Sequence, residues 1–228
     1  HGLGAFAEYV SVRQNGLAPK PASMTFEEAA AYPQAAIIAL QSLRDKGRIQ
    51  PGHKVLINGA GGGMGTFGVQ LAKYFGAEVT AVDSAPKLDM LRSIGADHVI
   101  DYTQEDYTRT GQRYDLILDV AAYRSVFDYR RALSPQGIFI MVGGSMGTLL
   151  QIVSLGTLIS SRRGQRIGLN AWKPNKREDL AFLAELFEAG KVVPVIDRRY
   201  PLPDVPEAMR YLAEEPHLGK IVITVVPE

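Results

Sequence analysis

Residues 58–65 read NGAGGGMG, directly after the apolar run KVLI and directly before TFGVQLAKYFG. Glycine at five of eight positions strips side chains from a stretch that something must approach closely. Between a strand and a helix, Ala60, Gly62 and Gly65 occupy the three small positions of a dinucleotide fingerprint. The first permits a tight turn, the second admits a pyrophosphate to the backbone, and the third lets helix pack on strand. Gly61, Gly63 and Met64 complete the loop. The helix N-terminus that follows offers unpaired N–H groups to phosphate. Each such interaction contributes roughly 0.3–2 kcal/mol, so several must act together. Asp83 ends the next apolar run, 18 residues after Gly65, where an acidic group commonly holds a ribose hydroxyl.

The elements that would position these residues are legible as an alternation. Apolar runs at 55–57, 79–82, 99–100, 116–120 and 138–142 predict strands, separated by helical patterns at 66–75, 87–94, 104–109 and 125–133. Strands apolar on both faces and separated by helices predict a doubly wound parallel α/β sheet of the Rossmann type. In that architecture ligands lie past the carboxyl ends of the strands. The nicotinamide end of a dinucleotide is therefore expected at Val120 and Ala121, after the fourth strand, and at Val142, Gly143, Gly144 and Ser145, after the fifth.

Outside this core, residues 1–12 alternate as one or two strands and 15–23 read as an extended connector. Thr25 and Glu28 form a capping box that opens a helix. Pro33 breaks that helix, and a second runs over 35–46. Past Gly143 come an apolar helix at 149–161, a basic turn RRGQR and a sixth strand at 167–172. A helix at 175–188 then stops at Gly190, and the tail reads strand, helix, strand.

The composition excludes several classes. The formal charge of +1 argues against a nucleic-acid or anionic-membrane partner. The longest apolar stretch, 149–160, is too short to span a bilayer and carries Gln151. No signal-peptide pattern opens the chain, so a cytoplasmic location is expected. The absence of cysteine removes disulfides, thiolate zinc sites and thiol nucleophiles together. His1, His53, His98 and His217 are scattered without metal-ligand spacing, so no metal site is expected.

Two other glycine loops compete. Gly59, Gly63 and Gly65 also fit the loop of short-chain dehydrogenases, which need a Tyr with Lys four residues later. No tyrosine here has one: Tyr9 is followed at that distance by Arg13, Tyr107 by Gly111 and Tyr123 by Phe127. A methyltransferase binding S-adenosylmethionine also uses a glycine loop and an acid after the second strand, and stays open as an alternative.

The segments GAFAEYVSV, KPASMTFEEAAAYPQAAIIALQSLRDKGRIQPGHKVLINGAGGGMGTFGVQLAKYFGAEV, GADHVIDYT, YDLILDV, VIDRRYPLPDVPEAMRYL and GKIVITV together resemble the medium-chain dehydrogenase/reductase superfamily. The resemblance runs over essentially the whole chain and points to the zinc-independent quinone oxidoreductase (zeta-crystallin) branch. It implies hydride transfer from a nicotinamide dinucleotide to a quinone, enone or related carbonyl, with no zinc. It also implies three parts: 1–24 as edge strands and connector of a GroES-like catalytic domain, 25–172 as the dinucleotide-binding domain, and 173–228 returning to the catalytic domain. Most of that catalytic domain, including an early tyrosine lining the quinone pocket, has no counterpart here. The chain is thus expected to be a cut or naturally short form, with a non-catalytic dinucleotide-binding module as a further reading.

The choice of dinucleotide draws on opposing signals. A carboxylate at Asp83 repels a 2′-phosphate by about 1–4 kcal/mol at contact range and favours NADH. The resemblance assigns the 2′-phosphate to Lys87 and Tyr102, with Ser84 adding a hydroxyl, and to a basic group before the last strand, His217 or Lys220. The expectation is NADPH, with NADH as the alternative. The resemblance also places Gln34, Ala35, Ala36, Ile37 and Ile38 along the nicotinamide, and implies a homodimer through the strand near 167–172. No catalytic acid is assigned.

Overall fold

The structure is a computed structural model that describes residues 5–12, 14, 17–160, 164–174 and 176–225. Its centre is a six-stranded, wholly parallel sheet in the order β3-β2-β1-β4-β5-β6. These strands are β1 (Lys54–Asn58), β2 (Glu78–Asp83), β3 (His98–Asp101), β4 (Tyr114–Asp119), β5 (Leu133–Met141) and β6 (Arg166–Leu169). Successive strand side chains point to opposite faces, and both faces are buried. Val55 and Ile57 of β1 join one core with Val79, Ala81, Leu116 and Leu118. Leu56 faces the other core, with Val82, Ile117 and Phe139. Continuous apolar strands are the sequence form of that double burial.

Helices cover the two faces. On the first lie α1 (Phe26–Ala31), α2 (Pro33–Leu40) and α3 (Gly65–Tyr74), followed in sequence by α4 (Leu88–Ser93). On the second lie α5 (Val126–Ala132) and α6 (Met146–Ser160), where Tyr129 stacks on Phe139 with ring centroids 4.1 Å apart. α7 (Arg177–Glu188) belongs by sequence to the tail segment, yet packs Leu183 and Leu186 into the first core. Its buried Asp179 accepts from Gln41 Nε2 and Arg44 Nη2, both at 2.7 Å. The tail then forms a separate two-stranded parallel sheet, β7 (Ile196–Pro201) and β8 (Lys220–Thr224), with α8 (Val205–Glu214) between them.

The capping box is present: Thr25 N donates to Glu28 Oε2 at 2.8 Å, and Glu28 N donates to Thr25 Oγ1 at 3.1 Å. Pro33 starts α2 at its first turn, and the expected 35–46 helix changes to a π-helical turn over Gln41–Lys46. There Gly47 N reaches Ser42 O at 2.7 Å.

Three expectations are corrected. No helix forms at 104–109, because local side chains capture the backbone. Asp101 Oδ1 accepts from Thr103 N, and Asp106 Oδ1 from Thr108 N, each at 2.9 Å. Residues 5–12 form no strand. Phe6, Tyr9, Val10 and Val12 stand exposed, with no neighbouring strand there to take their backbone hydrogen bonds. The sixth strand stops at Leu169 rather than 172, since Lys173 N is drawn to Gln41 Oε1 (2.7 Å) and Trp172 to the first core.

Candidate coenzyme site

The glycine loop leaves β1 at Asn58 and enters α3 at Gly65. Its first half is spent on the sheet: Gly59 N and Ala60 N both donate to Val82 O, at 3.0 and 3.1 Å. Gly61 N donates to Asp83 Oδ2 at 2.8 Å. The N–H groups of Gly63 and Met64 have no acceptor among the described residues; they head α3, where donors are left over by helix geometry.

A side chain imagined at each glycine separates their roles. At Gly65 a Cβ would lie 2.6 Å from Ala60 Cα and closer still to Gly59 O, so helix and strand touch there. At Gly62 its nearest neighbour would be Gly59 O at 3.5 Å, so the position is open. That cradle and the free N–H groups fit a pyrophosphate.

The remaining glycines have a cause that the fingerprint does not contain. A Cβ at Gly61 would meet Lys87 Cδ at 2.5 Å, and one at Gly63 would overlap Lys220 Cδ. Two lysine stems therefore lie across the loop. Lys220 is brought there by the tail: Gly219 N donates to Gly61 O at 2.8 Å, and Gly62 and Gly219 form an isolated parallel bridge. Burial lowers the pKa of the Lys220 ammonium. Of the two basic candidates before the last strand, Lys220 lies on the loop, while His217 keeps a buried Nδ1 without a partner.

Asp83 and Lys87, opposing signals in the sequence, are one ion pair at 3.3 Å, both largely buried. Asp83 Oδ1 also accepts from Ser84 N at 2.9 Å. Tyr102 stays on the rim, half-exposed, with its N–H on Asp83 O at 3.2 Å. The structure thus gathers Asp83, Ser84, Lys87 and Tyr102 around the end of β2.

At the ends of β4 and β5 the backbone is committed internally. Val120 N donates to Asn58 O, Val142 N to Asp119 O, Ala122 N to Gly143 O and Ser145 N to Ala122 O, at 2.7–3.0 Å. Gly144, at φ 144°, pairs with Ala122, and a Cβ there would overlap Ala122 O. Val120, Ala121, Val142, Gly143 and Gly144 form one shelf. The Ser145 hydroxyl is taken up in capping α6: it accepts from Thr148 N at 3.1 Å and bonds Thr148 Oγ1 at 3.0 Å.

Beneath the shelf lies a group that the sequence reading missed. Asp119, fully buried, accepts from Asn58 Nδ2 (2.8 Å) and Ala121 N (3.0 Å) through Oδ1, and from Tyr107 OH (3.4 Å) through Oδ2. Tyr129 OH lies close by and helps to hold the carboxyl's pKa down, while accepting from Tyr123 N and Arg124 N at 3.1 and 3.0 Å. Burial pushes the Asp119 carboxyl up to about 6, against the opposing pull of these hydrogen bonds. Burial likewise raises both tyrosines. The only sequence signal was a polar residue closing each of two apolar strands, KVLIN and DLILD.

Of the 34–38 segment, Gln34 and Ile37 line a cavity of about 1150 Å³ with Tyr32, Met24 and Trp172. Ile37, Ala35 and Ala36 are buried. Among the described residues no three His, Cys, Asp or Glu side chains are placed to hold a metal. His98 pairs with Glu78 at 3.0 Å, and His53 Nδ1 accepts from Gln50 N at 3.3 Å; His1 lies outside the described residues.

A parallel sheet in the order 3-2-1-4-5-6 with a glycine loop after its first strand defines a dinucleotide-binding fold. The family model described as zinc-binding dehydrogenase matches residues 94–223. The chain belongs to this family, within the medium-chain dehydrogenase/reductase superfamily. Its relatives include the mitochondrial NAD(P)H oxidoreductase RTN4IP1 of Mus musculus, 32% identical over 98% of this chain and 62% of the relative. The 2-methylene-furan-3-one reductase of Solanum lycopersicum is 34% identical over 99% of this chain and 54% of its own length. Among solved structures, an NAD-dependent alcohol dehydrogenase superposes with a TM-score of 0.84 at 30% identity, covering 98% of this chain and 66% of that one. The quinone oxidoreductase of Coxiella burnetii superposes with a TM-score of 0.77 at 25% identity, over 89% of this chain and 62% of that one. The chain thus spans little more than half to two thirds of these proteins. The family's description names zinc; the sequence has no cysteine, and among the described residues no three potential ligands gather.

Proposed function

We propose that the chain is the coenzyme-binding portion of an NAD(P)H-dependent oxidoreductase that delivers hydride to a quinone, enone or related carbonyl without zinc, with NADPH as the preferred coenzyme. One observation carries this reading: Gly62 leaves open space beside unspent N–H groups, while two lysines flank the same loop. Gly62, Gly63 and Met64 would hold the pyrophosphate, with Lys220 across it. Lys87, Tyr102 and Ser84 would take the 2′-phosphate, and the Asp83–Lys87 pair removes the repulsion that a lone carboxylate would exert there. The shelf of Val120, Ala121, Val142, Gly143 and Gly144 would support the nicotinamide.

The bound dinucleotide supplies the hydride. The protein's part is to orient the ring and exclude water, and for that the rigid, internally bonded shelf is suited. Activity of the whole enzyme on any carbonyl is part of the proposal, as the named relatives are longer than this chain. The enone chemistry in the tomato relative's name supports the substrate class. A cytosolic location and a homodimer through the open edge of β6, where Leu169 is exposed, belong to the same reading. Among the described residues no helix is long and apolar enough to cross a membrane.

Fluorescence titration tests the coenzyme. NADPH should quench saturably and bind more tightly than NADH; equal or tighter NADH binding overturns the preference. Binding of S-adenosylmethionine without NADPH would make the chain a methyltransferase. NADPH binding with no turnover of quinones or enones would leave a non-catalytic module.

A further inference from the structure

Ala121 stands exposed at the lip of the shelf, between two residues whose backbone is anchored to its neighbours. Val120 N donates to Asn58 O at 3.0 Å, and Ala122 N donates to Gly143 O at 2.9 Å. The N–H of Ala121 finds no carbonyl; among the described residues its acceptor is Asp119 Oδ1, at 3.0 Å. A carboxylate that accepts from the N–H two residues on closes a local turn without help from the sheet. The Ala121 carbonyl is reached from the neighbouring strand, by Asn58 Nδ2 at 3.4 Å. Both backbone groups of Ala121 are thus held by side chains.

The sheet sets those side chains in register. Asn58 and Asp119 are partners across the parallel β1–β4 pair, each the last residue of its strand. Asn58 Nδ2 donates to Asp119 Oδ1 at 2.8 Å, so this oxygen receives one donor from β1 and one from the lip it supports. Oδ2 meets Tyr107 OH, from the second core, at 3.4 Å. Asn58 is 4% exposed and Asp119 fully buried, so water does not compete for these bonds. Burying a carboxyl carries a penalty, which shows in a pKa raised to about 6. An apolar residue would fill the same space without that penalty, but it could not accept from Ala121 N. The lip also abuts the glycine loop: a Cβ at Gly59, which has φ 73°, would lie 3.3 Å from the Cβ atoms of Val120 and Ala121.

We propose that Asp119, with Asn58 as its partner, is a positioning residue for the nicotinamide: it fixes Ala121 where the ring rests and touches no ligand itself. This role rests on the coenzyme assignment, which supplies the ring. Support from beneath the shelf acts on the nicotinamide alone, since the pyrophosphate and the 2′-phosphate are assigned to other residues.

Isothermal titration of the full chain with NADPH, and with 2′-phospho-ADP-ribose as the same molecule without its nicotinamide, tests this. NADPH should bind the parent about tenfold more tightly than the fragment, the scale of one or two well-placed contacts. Asp119→Ala should remove that margin, weakening NADPH about tenfold and leaving the fragment unchanged; a general disturbance of the fold would weaken both. Asp119→Asn keeps an oxygen for Ala121 N and should hold the margin to within about twofold of the parent's. Where Asp119→Ala does not fold, Asn58→Ser removes the other arm of the clamp and should narrow the margin in the same direction. Failure of the parent to bind either ligand overturns the coenzyme assignment, and this role with it. With both ligands bound, the positioning role alone is overturned by equal affinities in the parent, by a margin that survives the substitutions, by a matched loss of both ligands, or by no rescue in Asp119→Asn.

Discussion

At the end of β2 the carboxylate of Asp83 meets Lys87 beside a glycine loop whose later N–H groups are unspent. At the end of β4 the carboxylate of Asp119 is sealed under a shelf whose backbone is bonded to itself. The first arrangement holds its charges and donors ready for a group that brings its own negative charge. The second has spent most of its N–H groups on itself; it offers shape and rigidity, which a flat, nearly neutral ring requires. Under the proposed function, one cleft would solve two recognition problems, by electrostatics at one end and by pre-organised backbone at the other.

The largest expected break in this comparison is at the loop. Gly62→Val should cut NADPH affinity about a hundredfold, the sum of a few phosphate contacts of roughly 0.3–2 kcal/mol each. Its thermal midpoint should stay near that of the parent, because a Cβ at this position meets no protein atom closer than ordinary contact. Gly65→Val makes the contrast: its side chain runs into Gly59 and Ala60. A cost of about 1–3 kcal/mol should lower the midpoint by roughly 2–10 °C. Calorimetry and titration on both variants separate ligand space from packing space, and identical behaviour of the two would erase the distinction.

Next comes Lys220→Ala, expected to weaken NADPH and NADH alike by about tenfold, as a charge-assisted contact to the shared pyrophosphate would. Lys87→Ala should weaken NADPH by a similar factor and leave NADH unchanged. An equal loss for both coenzymes would move Lys87 from the 2′-phosphate to the loop itself.

The smallest effect concerns the sealed end and needs no ligand. Asp119 has a folded pKa near 6 against an ordinary value of 3.8, so between those pH values the folded chain holds a proton that the unfolded chain releases. Stability from this group is complete below the unfolded value and falls as pH rises toward 6, by up to about 1.4 kcal/mol per pH unit. Chemical denaturation at pH 4.5, 5.5 and 6.5 should show that decline in the parent and not in Asp119→Asn. A parallel profile in the variant would mean that the carboxyl titrates normally.

The strand order and the glycine frame were legible in the sequence because double burial and close approach both write themselves as residue types. Leu56 and Ile57 had to be apolar for opposite faces, and Gly65 had to be small for Ala60. Side-chain capture was less legible. Asp101 and Asp106 turned a helical pattern into turns, through local bonds that compete with the helix at small energies. Asp119 gave little sign of its role, since its partners Tyr107 and Tyr129 reach it only once the second core is assembled. Asp83 and Lys87 were read as rivals because spacing alone does not say that a carboxylate has already found its cation.

The bond from Gly219 N to Gly61 O ties the loop to a residue made much later in the chain. A ribosome adding about 5–20 residues per second leaves an interval of roughly 10–30 s between the two ends of that bond. Through that interval the nascent sheet has its glycine loop but neither the bridge from Gly219 nor the stem of Lys220. The loop therefore gains its bridge and its second lysine only after the tail sheet has been made, and a chain cut before residue 219 should fold its six-stranded sheet with the glycine loop unlatched.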